Sequence, residues 1–134
     1  ARIGVSYIGS DASTADATTY DHGNFSAPSD GLMVVVQGGG RDALRRTISS
    51  ISIGGTNGTL VAPGLSDQIS SLAYRAVSAG NNNVTVVYSG GASERDTVNV
   101  YLLTASLVGV HGSHTETATF GGSAEGSNVY ACWR

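Results

Sequence analysis

Apolar and polar residues alternate along most of this chain in short runs, and no long segment repeats apolar positions at three- and four-residue intervals. A period of two predicts β-strands. Near the start, Ile3, Val5 and Tyr7 share one face while Arg2, Gly4 and Ser6 take the other, and residues 11–19, rich in Ser, Thr, Asp and Ala, read as a polar connection. A less regular strand is expected over 18–27, with Tyr20 and Phe25 as its large apolar residues and Gly23 as an interruption.

Residues 32–36 are five consecutive apolar positions between Asp30-Gly31 and Gly38-Gly39-Gly40, which predicts a central strand covered on both faces and ended by a glycine turn. Ile51 and Ile53 alternate with Ser52 up to Gly54-Gly55. Residues 59–62 follow across Thr56-Asn57-Gly58, where Asn-Gly suits the positive φ angles of a tight hairpin. Next, Leu72, Tyr74 and Ala76 oppose Ala73, Arg75 and Val77; a turn is expected at Gly80 and Asn81-Asn82-Asn83, and Val84, Val86 and Tyr88 make the following strand.

Gly90-Gly91-Ala92-Ser93 turns the chain into the longest alternation, residues 97–105, where Val98, Val100 and Leu102 oppose Asn99, Tyr101 and Leu103. A last pair is expected where Thr115, Thr117 and Thr119 alternate with Glu116, Ala118 and Phe120, and again over 128–133. Residues 41–48 are the one helical rival, a single turn capped by Asp42 that is short enough to expect an ordered loop instead. About eight to ten short strands at this spacing imply an all-β fold, an antiparallel β-sandwich of immunoglobulin-like or jelly-roll type, formed as a single domain over residues 1–134.

Composition narrows the partners. The 134 residues include 19 Gly and 2 Pro, and 7 basic against 10 acidic residues leave a net charge of −3 with no run of like charge. No basic footprint for nucleic acid is present, and no apolar run is long enough for a membrane helix, so neither partner is expected. The lone Cys132 offers no internal disulfide and reads as a small packed hydrophobe.

Chemical motifs are sparse. His111 and His114, with Glu116, have metal-ligand chemistry, but Gly112-Ser113 between them reads as a solvated turn between strands. No Gly-x-Ser-x-Gly elbow accompanies the 18 Ser, and Gly38-Gly39-Gly40-Arg41 lacks the Lys-Ser/Thr continuation of a phosphate loop. Glu94, Asp96, Glu116 and Glu125 fall in or beside expected turns and form no pair suited to glycoside cleavage. The expectation is therefore no catalytic residue, no metal, no cofactor and no enzyme. Arg41, Arg45 and Arg46 form a basic cluster able to grip carboxylates on a partner, and Tyr130, Trp133 and Arg134 could anchor a partner or pin the last strand.

The succession Ser50-Ile51-Ser52-Ile53-Gly54-Gly55, Thr59-Leu60-Val61-Ala62, Ala73-Tyr74-Arg75-Ala76-Val77, Val84-Thr85-Val86-Val87-Tyr88-Ser89-Gly90 and Val98-Asn99-Val100-Tyr101-Leu102-Leu103-Thr104-Ala105 resembles small β-sandwich virion proteins of tailed bacteriophages over roughly residues 31–120. That resemblance implies a non-enzymatic structural part of a virion, such as a head decoration protein, a head spike or fibre, or a tail component. It would work as a homo-oligomer against other capsid or tail proteins, and no family active site carries over. The chain stops at Arg134, where such proteins often add another apolar strand, so a neighbouring copy is a candidate to complete the last one. A carbohydrate- or receptor-binding module on the same type of sandwich is the alternative.

Overall fold

The computed structural model describes residues 4–62, 67–104, 110–120 and 124–133, the last two stretches by their backbone pairing. Eleven strands run in chain order: β1 (Gly4–Ser13), β2 (Thr19–Ala27), β3 (Gly31–Gly40), β4 (Thr47–Ile53), β5 (Thr56–Asn57), β6 (Thr59–Val61), β7 (Gln68–Val77), β8 (Gly80–Ser89), β9 (Arg95–Thr104), β10 (Val110–Phe120) and β11 (Ala124–Trp133). No helix occurs among the described residues, and 41–46 form a turn in which Ala43 adopts a φ of 60°.

The strands make a five-stranded sheet of order β1-β9-β3-β7-β6, a four-stranded sheet of order β2-β8-β4-β5 and a separate hairpin β10-β11. Every pairing is antiparallel. The first four strands alternate between the two large sheets, as do β7, β8 and β9. An immunoglobulin sandwich instead keeps its first two strands in one sheet. Of the two expected sandwich types, this order is that of a jelly roll.

The central strand is where the apolar run placed it: β3 sits third of five, between β9 and β7. Its inward residues Met33 and Val35 meet Val98, Val100 and Leu102 of β9, Ile69 and Ala73 of β7, and Ile51, Ile53, Val84 and Val86 from the opposite sheet in one buried cluster. Its outward Val34 joins Leu72 and Leu103 in a second buried cluster on the far side of the same sheet. β11 passes along β7 and β6.

Several expected turns are corrected. Gly38-Gly39-Gly40 does not end β3 but continues it, paired with 68–70 on one side and 95–97 on the other. Asn81, Asn82 and Asn83 lie within β8, opposite Ser26, Phe25 and Asn24. The tight turn falls at Gly54-Gly55, both at positive φ (64° and 82°) as a type I′ hairpin demands, joining Ile53 to Thr56. Asn57-Gly58 instead carries the chain to the other sheet, where Thr59–Val61 pairs with β7. His111, Gly112, Ser113 and His114 belong to β10, with a register shift between Val110 and Gly112, so this is strand rather than a solvated turn.

Two bulges decide which side chains of the first strands reach the interior. In β1 the register shifts between Tyr7 and Gly9, and in β2 between Asp21 and Asn24. Each extra residue inverts the facing of the strand beyond it. Val5 and Tyr7 therefore face out while Asp11, beyond the shift, pairs with inward Val98, and β2 can bury Tyr20 before its shift, His22 within it and Phe25 and Ala27 after it.

Core depth sets a stability contrast. Met33→Ala, at a position with no exposure, should cost about 2–5 kcal/mol in urea unfolding, whereas Val36→Ala, on the open side of the same strand, should cost under about 1 kcal/mol.

Candidate functional site

The second half of β1, the first half of β2 and the start of β9 converge on one end of the sandwich. There His22 bridges two carboxylates: Nε2 lies 2.6 Å from Asp96 Oδ2 and Nδ1 lies 2.8 Å from Asp11 Oδ2. The His22 and Asp96 side chains are 1% and 0% exposed, while Asp11 is 47% exposed. The second Asp96 oxygen, Oδ1, accepts from the Tyr88 hydroxyl and from Gln37 Nε2, each at 2.6 Å. Gln37 Nε2 also donates to the Tyr88 oxygen at 2.9 Å, and Ser71 Oγ donates to Gln37 Oε1 at 2.6 Å.

The donor directions fix the charges. Gln37 and Tyr88 donate to Asp96, which as a carboxylate only accepts, and Ser71 donates to the Gln37 carbonyl behind them. A neutral imidazole would turn a lone pair toward one of its two carboxylates, and an imidazolium, with both ring nitrogens donating, is the form that serves both. Burial pulls the His22 pKa down, but hydrogen bonds and charge from Asp96 and Asp11 outweigh it and hold the ring above its ordinary value. Burial and the neighbouring Asp96 charge push the Tyr88 hydroxyl far above its own ordinary range, so it stays a neutral donor.

Both ring nitrogens are thus committed, and Tyr20 stacks beside the ring at 6.2 Å with its planes 13° apart. Tyr20 is itself pinned through its hydroxyl to the Ala15 carbonyl at 2.6 Å. An imidazole with no free lone pair is not a general base for a nucleophile. The bridge and its donors together tie six strands, β1, β2, β3, β7, β8 and β9. No cluster of metal-ligating side chains is found among the described residues.

Glycine makes room for it. A side chain at Gly39, which pairs with Asp96 on β9, would collide with the Tyr88 hydroxyl, with the Arg95 carbonyl at 2.6 Å and with Asp96 Oδ1 at 2.9 Å. Beside the network an open recess of about 500 Å³ runs over Gly38 and Gly39, edged by Ser13, Thr14, Ser70 and Thr97. Arg95 stands at its rim, paired with Asp42 at 2.7 Å and Glu94 at 3.0 Å.

The expected contact residues are dispersed. Arg41 approaches Asp16 at 3.5 Å, and Arg46 donates to the Ala92 carbonyl at 2.9 Å and the Arg45 carbonyl at 3.0 Å, which ties it into its own loop. Arg45 is exposed and engaged. Tyr130 and Trp133 lie in β11, opposite His114 and Val110, while Arg134 is outside the described residues. Asp96, expected to solvate a turn, is instead the second residue of β9 and buried. His22 and Gln37 belong to no motif in the sequence, although His22 sits two residues from buried Tyr20 and Gln37 directly continues the apolar run 32–36.

A different surface is open to partners. Tyr7, Tyr101, Val34 and Tyr74 stand in one cross-strand row on the outer face of the five-stranded sheet. Toward β1 this face stays open, with Val5, Tyr7 and Val36 at 65%, 57% and 39% exposure. The Tyr7 and Tyr101 rings lie 5.4 Å apart and tilted by 60°. No family model, curated protein or solved structure matches the chain.

Two substitutions separate the buried half of the bridge from its exposed half. Asp96→Asn should cost about 3–5 kcal/mol in chemical denaturation because it strands a buried imidazolium, while Asp11→Asn at the solvent edge should cost about 1 kcal/mol or less. Gly39→Ala should cost about 1–3 kcal/mol and shift the Tyr88 ring signals in an NMR spectrum, since its methyl must displace the hydroxyl.

Proposed function

We propose that the chain is a non-enzymatic structural protein of a phage particle, a head decoration, spike or fibre, or a tail component, acting through contact with neighbouring virion proteins. The observation that carries this reading is the outer face of the five-stranded sheet, where an apolar row begins under cover at Val34 and ends in the open at Tyr7 and Val5. Exposed apolar area continuous with buried area is what a contact surface needs. A buried network that stiffens the body and offers no free catalytic group supports the same reading, as does the resemblance across residues 31–120. Jelly rolls serve viral capsids and lectins alike, so the fold by itself favours neither.

Glycan or receptor binding is the second reading, favoured by one detail: exposed Tyr7 directs its hydroxyl to Asn99 Oδ1 at 3.4 Å, an aromatic beside a polar group. The 60° tilt between Tyr7 and Tyr101 denies the pair a shared plane for a sugar ring, which is why protein contact is preferred.

Quantitative mass spectrometry of purified particles should find the chain in fixed stoichiometry with the major capsid or tail protein, and a chain carrying Tyr7→Glu should fold yet enter particles about tenfold less efficiently. Particles lacking the chain, or a glycan array bound through Tyr7, would replace this reading with the second.

A further inference from the structure

We propose that the Asp11–His22–Asp96 bridge is a proton-controlled latch on the edge strand β1: with His22 doubly protonated the second half of β1 is tied to β2, and loss of the Nδ1 proton opens that tie while the Asp96 side holds. The inference stands on the bridge itself and not on any virion role.

The asymmetry of the bridge decides which side opens. A neutral imidazole keeps one N–H for two carboxylates. Asp96 is sealed, with no exposed side-chain surface, and leaving it unpartnered would strand a charge away from water; Asp11 is half in solvent and can be rehydrated by turning outward. The remaining proton therefore stays on Nε2 against Asp96, and the bare Nδ1 then faces the Asp11 carboxylate, repelling it.

Position makes this consequential. Among the described strands β1 is the end strand of its sheet, with β9 as its one ladder neighbour, and its register is already shifted between Tyr7 and Gly9. Asp11 is the residue through which the stretch beyond that shift reaches β2 by a side chain. The other titratable groups around the ring are Tyr20 and Asp21 on β2, Tyr88 on β8 and Asp96 on β9. Burial keeps both tyrosine hydroxyls neutral by raising them, and hydrogen bonds from Asn83 and the Gly23 amide keep Asp21 ionised by lowering it. His22 is the member whose ordinary value, 6.5, lies near neutrality.

The direction of the pH dependence comes from that set of groups. The folded value lies above 6.5, so the latch contributes fully below that pH and its contribution is lost as pH rises through the folded value. Alkalinity, not acidity, frees β1.

The test combines ring NMR with hydrogen exchange on the intact chain. On raising pH from about 5.5 to 9, the His22 ring should lose its proton from Nδ1 with a midpoint above the ordinary histidine value. Over the same interval the protection factors of amides in residues 10–13, corrected for intrinsic exchange, should fall about tenfold while those of β3 hold. Asp11→Asn should remove the pH dependence at residues 10–13 and leave the chain folded; His22→Gln, if it folds, should show the open level at every pH. Constant protection across the range, deprotonation at Nε2, or an unchanged pH profile in Asp11→Asn would each overturn the latch.

Discussion

A single sealed carboxylate organises one end of this molecule. Asp96 has been taken entirely out of water, at a desolvation cost of several kcal/mol, and the fold answers with donors from a histidine, a tyrosine and a glutamine carried by three other strands. Those donors come from both sheets, so satisfying the charge also sets how the sheets meet. The demands spread outward: β3 needs a glycine opposite Asp96, β2 needs an extra residue so that His22 and Phe25 can both point inward, and β1 carries one between outward Tyr7 and the Asp11 that reaches the ring. An apolar core tolerates many near-equivalent packings, whereas a directional chain of hydrogen bonds accepts few.

Much of the architecture was legible because strand alternation survives wherever no bulge intervenes. Val98, Val100 and Leu102 opposite Tyr101 and Leu103 showed a strand with two differently covered faces, and the apolar run 32–36 showed the sheet centre. What escaped was context that glycine and asparagine conceal. Gly38, Gly39 and Gly40 look like a turn, but they are a strand whose middle member is kept small by a tyrosine hydroxyl arriving from the opposite sheet. Asn57-Gly58 has hairpin chemistry, yet two glycines just before it take the turn and leave it to bridge the sheets.

The site was harder still to see. A period-two count from Ile3, Val5 and Tyr7 places Asp11 on the outer face with them, and only the register shift after Tyr7 turns it inward. Asp96 sits three residues after Ser93, close enough to a turn to pass for a loop acid. Nothing local in the sequence says that these two acids and His22 meet, since 74 positions separate His22 from Asp96.

The extra residue in β1 also gives that strand two separate selective regimes. Before it, side chains such as Val5 and Tyr7 answer to whatever lies outside the molecule and can drift with a changing neighbour. Beyond it, Asp11 answers to the buried ring it binds. Removing one residue at the shift would straighten the strand and leave Asp11 opposite Val98, still facing inward, so the ladder, the outer face and the tie to the ring would all survive a one-residue deletion there. Facing at that point, more than length, is what the fold requires of β1.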